Sequence, residues 1–219
     1  MRKSTVFLSA ATAAALVAGV GIAAAPAQAK VTSQVSGSTT ITILPKVYSQ
    51  FSAGVQVQAF PPATSTNPAG TQAIHFPVTT PLKPGAVANT GVMTIGALLN
   101  RIDLSLPILE YSSTKGRTTG QITFKDEYAS LTSDRFALFK VTGMSLKVTK
   151  GKATKSGATW KRTDRQWITG KVAIVDNPKT VDSLNTYIGT TLFTPGMEFG
   201  TLDSNVTTTI TCKTRRECL

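Results

Sequence analysis

The segment RIDLSLPIL, residues 101–109, alternates side chain by side chain. Ile102, Leu104, Leu106 and Ile108 fall on one face, and Arg101, Asp103, Ser105 and Pro107 on the other. A period of two is what a half-buried β-strand requires, because successive side chains point to opposite faces of a sheet. Pro107 has no amide hydrogen for a ladder, which places it at an edge or a bulge. The same grammar recurs in TITIL (40–44), VQVQAF (55–60), AIHFPV (73–78), VMTI (92–95), QITFK (121–125), ALFKV (137–141), SLKVT (145–149), QWITGKVAIV (166–175) and NVTTTIT (205–211). Many short strands separated by turn residues argue for a sandwich or a barrel. The fold class expected is mainly β: an antiparallel β-sandwich with two short helices.

Two places break the alternation. In DNPKTVDSLNTYIG, Asn177 can cap a helix, Pro178 fits its first turn, and Val181, Leu184 and Ile188 recur at helical spacing until Gly189. A shorter version follows Leu44, where Pro45, Lys46, Val47, Tyr48 and Phe51 precede Gly54. Both units read strand, Pro-Lys, short amphipathic helix, strand. The correspondence reads either as an internal repeat, giving two related halves, or as coincidence of common strand–helix grammar. Residues 61–72 and 79–91 are rich in Pro, Gly, Ser, Thr and Asn, and are expected to be loops.

The ends of the chain set its compartment. Arg2 and Lys3 precede an alanine-rich apolar run from Val6 to Ala25, and Ala27-Gln28-Ala29 is a small-residue cleavage signal. Residues 1–29 therefore read as a cleaved secretory signal peptide, and the expected location is secreted or extracellular, with association to the cell wall. The mature chain divides into a polar, flexible lead-in at 30–38, a single domain at 39–211 and a tail at 212–219. The two cysteines of the chain, Cys212 and Cys218, lie in that tail and can close a small disulfide loop in an oxidising compartment; the alternative is two free thiols. They do not supply a metal site with one distant histidine.

Charge limits the partners. The formal net charge is +12, or about +10 once Arg2 and Lys3 leave with the leader, and such an excess attracts anionic surfaces over long range. For an exported chain these are anionic cell-surface polymers or membrane headgroups, not nucleic acid. No cofactor is expected, and no enzyme chemistry: there is no G-x-S-x-G elbow, S-x-x-K pair, Walker loop, dinucleotide fingerprint or EF-hand loop. Asp103 and the Asp126-Glu127 pair are the acids to test as an acid/base pair, and scattered single acids read more naturally as surface charges. His75 in AIHFPV falls opposite Ile74 and Phe76, towards solvent.

The densest cluster of candidate binding residues is VTKGKATKSGATWKRTDRQWITGK, residues 148–171. It carries Lys150, Lys152, Lys155, Lys161, Arg162, Arg165 and Lys171 with Trp160 and Trp167, against one acid, Asp164. If the stretch is a hairpin turning at Thr163-Asp164, then Trp160, Arg162, Arg165, Trp167 and Lys171 share one face, and Ile168, Val172 and Ile174 the other. Aromatic rings among arginines form a platform for phosphate, acidic sugar or a membrane surface. The competing account is a solvated face on which Arg stems simply cover the indoles.

Residues 73–122, AIHFPVTTPLKPGAVANTGVMTIGALLNRIDLSLPILEYSSTKGRTTGQI, resemble the body of the HtaA-like domains of exported Gram-positive surface proteins. The resemblance is carried by Phe76-Pro77, Gly91-Val92-Met93, Leu104-Ser105-Leu106-Pro107 and Thr119-Gly120-Gln121-Ile122. It implies an exported β-sandwich that binds a ligand such as haem. The N-terminal Ser-Phe-x-x-Tyr-like signature of that family is absent, and Ile95-Gly96-Ala97 stands where its histidine is expected. Haem ligation is therefore not carried over. The expected function is a non-catalytic, cell-wall-associated module whose basic, tryptophan-containing hairpin binds anionic polymers, the alternative being a secreted carrier of a haem-type ligand.

Overall fold

The computed structural model describes residues 31–68, 70–83, 85–96, 100–114, 117–126 and 135–219. The signal peptide expected at residues 1–29 lies outside them. Twelve strands form one sheet: β1 (Thr32–Ile43), β2 (Gln56–Phe60), β3 (Thr64–Thr66), β4 (Ala73–Lys83), β5 (Ala86–Asn89), β6 (Val92–Gly96), β7 (Arg101–Thr114), β8 (Arg117–Asp126), β9 (Arg135–Thr149), β10 (Thr154–Ser156), β11 (Thr159–Ile174) and β12 (Glu198–Cys212). Helix α1 (Pro45–Tyr48) continues into a 3-10 turn at Ser49–Ala53, and α2 (Pro178–Ile188) joins β11 to β12.

The expected sandwich is corrected to a closed antiparallel barrel. Its ring runs β7, β5, β4, β1, β12, β11, β9, β8 and back to β7. Closure depends on the length of β7. Its first half pairs with β6 and its second with β5 along one edge, while the other edge pairs with β8. One strand thus joins what would otherwise be two sheet edges, so the sheet has no second layer to pack on. The short strands β2, β3 and β10 pair with β6, β4 and β11 respectively, outside the ring.

The inward residues of each strand fill the ring: Ile41 and Ile43 from β1, Ile74 and Phe76 from β4, Phe139 from β9, Ile168 and Val172 from β11, Phe199 and Leu202 from β12 are all buried. Phe139 lies 4.8 Å from Phe199 and 5.8 Å from Phe124, ring centre to ring centre. The interior is a packed aromatic core. The 3-10 turn adds Phe51, 6.3 Å from both Phe193 and Phe199. Helix α2 forms where its signals stand: Asn177 Oδ1 accepts from the Lys179 amide at 3.1 Å, Val181, Leu184 and Ile188 are buried, and Gly189 ends it in the left-handed region at φ 73°.

Several local expectations change. The Leu106 position is a bulge with φ 46°, the β7–β8 register slips between Ser105 and Ile108, and Leu106 turns outward while Leu109 is buried. Arg135 donates to the Leu106 carbonyl and, at 3.1 Å, to that of Thr123, so the bulge's exposed acceptor is satisfied by a side chain. ALFKV and SLKVT are one strand, β9, which passes through Gly143 at φ 59°. Residues 32–38, expected as a flexible lead-in, form the first half of β1, because the polar threonine ladder of β12 offers them partners from Thr211 to Asn205. Residues 73–83 and 86–89 are strands through much of the second expected loop. The two strand–helix–strand units also differ in place: β11 and β12 are neighbours in the ring, whereas β1 and β2 are not paired.

Candidate functional site

The basic stretch does not turn at Thr163-Asp164. It is a single strand, β11, paired with β12 from Trp160–Cys212 to Ala173–Glu198 and with β9 from Arg165–Thr149 to Ile174–Phe139. The turn occurs earlier, at Gly157 with φ 61°, where the short β10 pairs Lys155 with Trp160. Asp164 needs no loop, because it accepts from the Gly151 amide at 3.1 Å and from Arg162 Nη2 at 3.0 Å.

A straight strand assigns faces by parity. Trp160, Arg162, Asp164, Gln166 and Ile168 point inward; Lys161, Thr163, Arg165, Trp167 and Thr169 point outward. The tryptophans therefore lie on opposite faces. Trp167 has Arg165 two residues away on the same face, Lys161 further along it, and as its cross-strand partner on β9 Lys147, whose Nζ sits 5.8 Å from the indole centre. Lys171 is also exposed and lies 3.6 Å from Glu198, which faces Lys46 at 3.5 Å. Lys150 and Lys152 are exposed in the connection from β9 to β10, and Lys155 shares the side of Trp160.

The surface around this row is broad and polar. In register, β12 contributes Thr201, Asp203, Asn205, Thr207, Thr209 and Thr211, and β1 contributes Thr32, Gln34, Ser36, Ser38, Thr40 and Thr42. Asp203 is the one carboxylate among these outward residues. His75, the next strand over, is held between Thr40 Oγ1 at 2.9 Å and Thr66 Oγ1 at 3.0 Å.

The inward side has a different role. Arg162, 13% exposed at its side chain, donates to the carbonyls of Cys218 and Leu219, the latter at 2.8 Å, as well as to Asp164. Its Nε is buried with no hydrogen-bond partner among the described residues. Cys212 and Cys218 form the expected disulfide, with sulfurs 2.15 Å apart. The tail folds back as a 3-10 turn at Arg216–Cys218, with Glu217 accepting from the Lys213 amide at 3.1 Å and Arg215 stacked 5.9 Å from the Trp160 ring. Docking the tail brings the exposed Lys213, Arg215 and Arg216 to the end of the β11–β12 ladder.

Sequence reasoning missed Lys147 and the tail cations. Lys147 was legible as the outward residue of SLKVT, but nothing local places it across from Trp167. Of the acids weighed for catalysis, Asp103 is buried beside Arg101 at 3.3 Å, and Glu127 lies outside the described residues. Among the described residues, no three His, Cys, Asp or Glu side chains gather as a metal site.

Fold and surface define an antiparallel β-barrel module with a cationic, acid-poor outer face. No family model matches the sequence, and no curated protein matches it. Among solved structures, the crystal structure of the C-terminal domain of HtaA from Corynebacterium glutamicum is similar at 8% identity and a TM-score of 0.42, covering 81% of this chain and 99% of that one. This is a weak structural resemblance, and it assigns no ligand.

Proposed function

We propose that the chain is an exported, non-catalytic module that holds an anionic cell-surface polymer against the outward face of β9 and β11. The observation that carries the reading is the row of outward cations along β11, Lys161, Arg165 and Lys171, with Lys147 of β9 across from Trp167, amid threonines and serines. At about 3.3 Å per residue, Lys161, Arg165 and Lys171 stand roughly 13 and 20 Å apart along the strand, charge in a line that suits a linear polyanion better than a compact ligand. Trp167 adds a flat apolar surface for the polymer's backbone. The disulfide supports an oxidising location outside the cell.

The test is retention of the purified protein on an anionic wall polymer, with anionic lipid vesicles in parallel. Retention is expected to fall steeply with added salt, because exposed charges are screened, and to drop roughly tenfold in a Lys147→Gln, Lys161→Gln, Arg165→Gln variant. Salt-insensitive retention that the variant leaves intact would overturn the reading. Equal retention on vesicles would reassign the surface to headgroups.

A further inference from the structure

None of the described residues lining a cleft beside α1 belongs to the basic face. A cavity of about 530 Å³ lies between β2, the helical segment after β1 and the loop before β4, lined among others by Tyr48, Phe51, Gln56, Gln58, Asn67 and Gln72. We infer that this cleft is a second site, built for an uncharged saccharide.

Its size is that of a small-ligand site. Its chemistry is set by what lines it. In a chain with 23 Lys and Arg, not one of the described lining residues carries a charge. Four carboxamides and a phenol instead offer donors and acceptors together. Gln58 Nε2 donates to Gln56 Oε1 at 2.8 Å, which fixes both amides on the same side of β2 and leaves one donor group and one acceptor turned outward.

Gln72 is the most buried of the four carboxamides. It is 7% exposed, and its backbone carbonyl accepts from Ile43 at 2.8 Å, which fixes its place on the cleft wall. A side-chain amide held there offers a donor and an acceptor together to a ligand. Hydroxyl groups both donate and accept, as this lining demands, and the apolar face of a sugar ring can lie on the half-buried Tyr48. A charged ligand would enter without a counter-charge, and a purely apolar one would strand the amides. An added peptide strand is disfavoured because β3 and the 3-10 turn already approach β2. A smaller cavity of about 220 Å³ shares Gly54 and Val55 with the cleft and continues towards Ile188 and Thr190, which extends the site beyond one ring.

Calorimetric titration of the purified protein with N,N′,N″-triacetylchitotriose, a neutral oligosaccharide, tests this, with oligogalacturonate as the acidic control. The expected result is saturable binding of the neutral sugar, insensitive to added salt, weakened roughly tenfold or more by Gln72→Leu and by Tyr48→Ala. Polymer retention on β9 and β11 should persist in both variants, so the two sites fail or succeed separately. If Gln72→Leu does not fold, Gln58→Leu on the exposed strand gives the same test. Absence of heat, or binding that both variants leave intact, would overturn the inference. So would a Soret band on haem titration that Tyr48→Phe abolishes, which would assign the cleft to a porphyrin.

Discussion

Arg162 and Asp164 stand two residues apart on β11 and turn the same way, inward, with Arg162 Nη2 3.0 Å from Asp164 Oδ2. That placement divides the cations of the basic stretch into two kinds. Arg162 ties the tail to the strand and holds Asp164, which accepts from the Gly151 amide of the β9–β10 connection, while Lys161 and Arg165, nearby in sequence, face solvent.

Arg162→Ala is expected to cost about 2–4 kcal/mol, because it leaves the Asp164 carboxylate and two tail carbonyls without their shared donor. Urea denaturation checks this. Arg162→Lys should recover only part, since one ammonium cannot span acceptors on both sides of a planar fork. A loss under about 0.5 kcal/mol for the alanine variant would mean the contacts are peripheral.

The two tryptophans should separate cleanly. Trp167→Ala is expected to weaken polymer retention with a melting temperature close to that of the parent, since only an exposed cation–π contact of about 0.5–1 kcal/mol is lost. Trp160→Ala should destabilise by about 2 kcal/mol or more, through lost packing against the tail, with little effect on retention per folded molecule. Reversed outcomes would place the binding surface on the inward side.

Cys212→Ser with Cys218→Ser should lower stability by about 2 kcal/mol, as the loop-closure entropy of so short a ring predicts. Thermal melts with and without reductant should show the same shift in the parent and none in the variant.

Gly37→Ala tests whether the start of β1 is part of the fold. Gly37 has φ 129°, and a Cβ there would lie 1.9 Å from the Asn205 carbonyl oxygen. A cost of about 2 kcal/mol or more is expected, from strain and displacement of β12. Neutral behaviour, measured by denaturant midpoint, would show that residues 32–38 fray without consequence.

Strands and helices were legible because each is written locally. The alternation of RIDLSLPIL and the Asn177, Pro178 and Gly189 signals need no partner to be read. The closure of the barrel was not legible, because it depends on β7 being shared by three partners, a property of register rather than of residue type. The same limit hid the course of β11. Thr163-Asp164 is acceptable turn chemistry in isolation, and only the amide of Gly151 and the side chain of Arg162 make Asp164 comfortable in a strand. Of the residues picked for binding, Lys161, Arg165, Trp167 and Lys171 share the outward face of one strand, and Trp160 and Arg162 take the other, because a straight strand sorts by parity where a hairpin would have mirrored them.

β11 belongs at once to the barrel wall and to the basic face, with Ile168, Val172 and Ile174 anchored in the core and Lys161 and Arg165 nearer its start. A polymer pulling lengthwise on that start would load the β11–β12 ladder in shear, along all its hydrogen bonds together, instead of peeling them apart one by one. A tether mounted this way resists tension in the direction of the strand and gives way most easily to a pull across it.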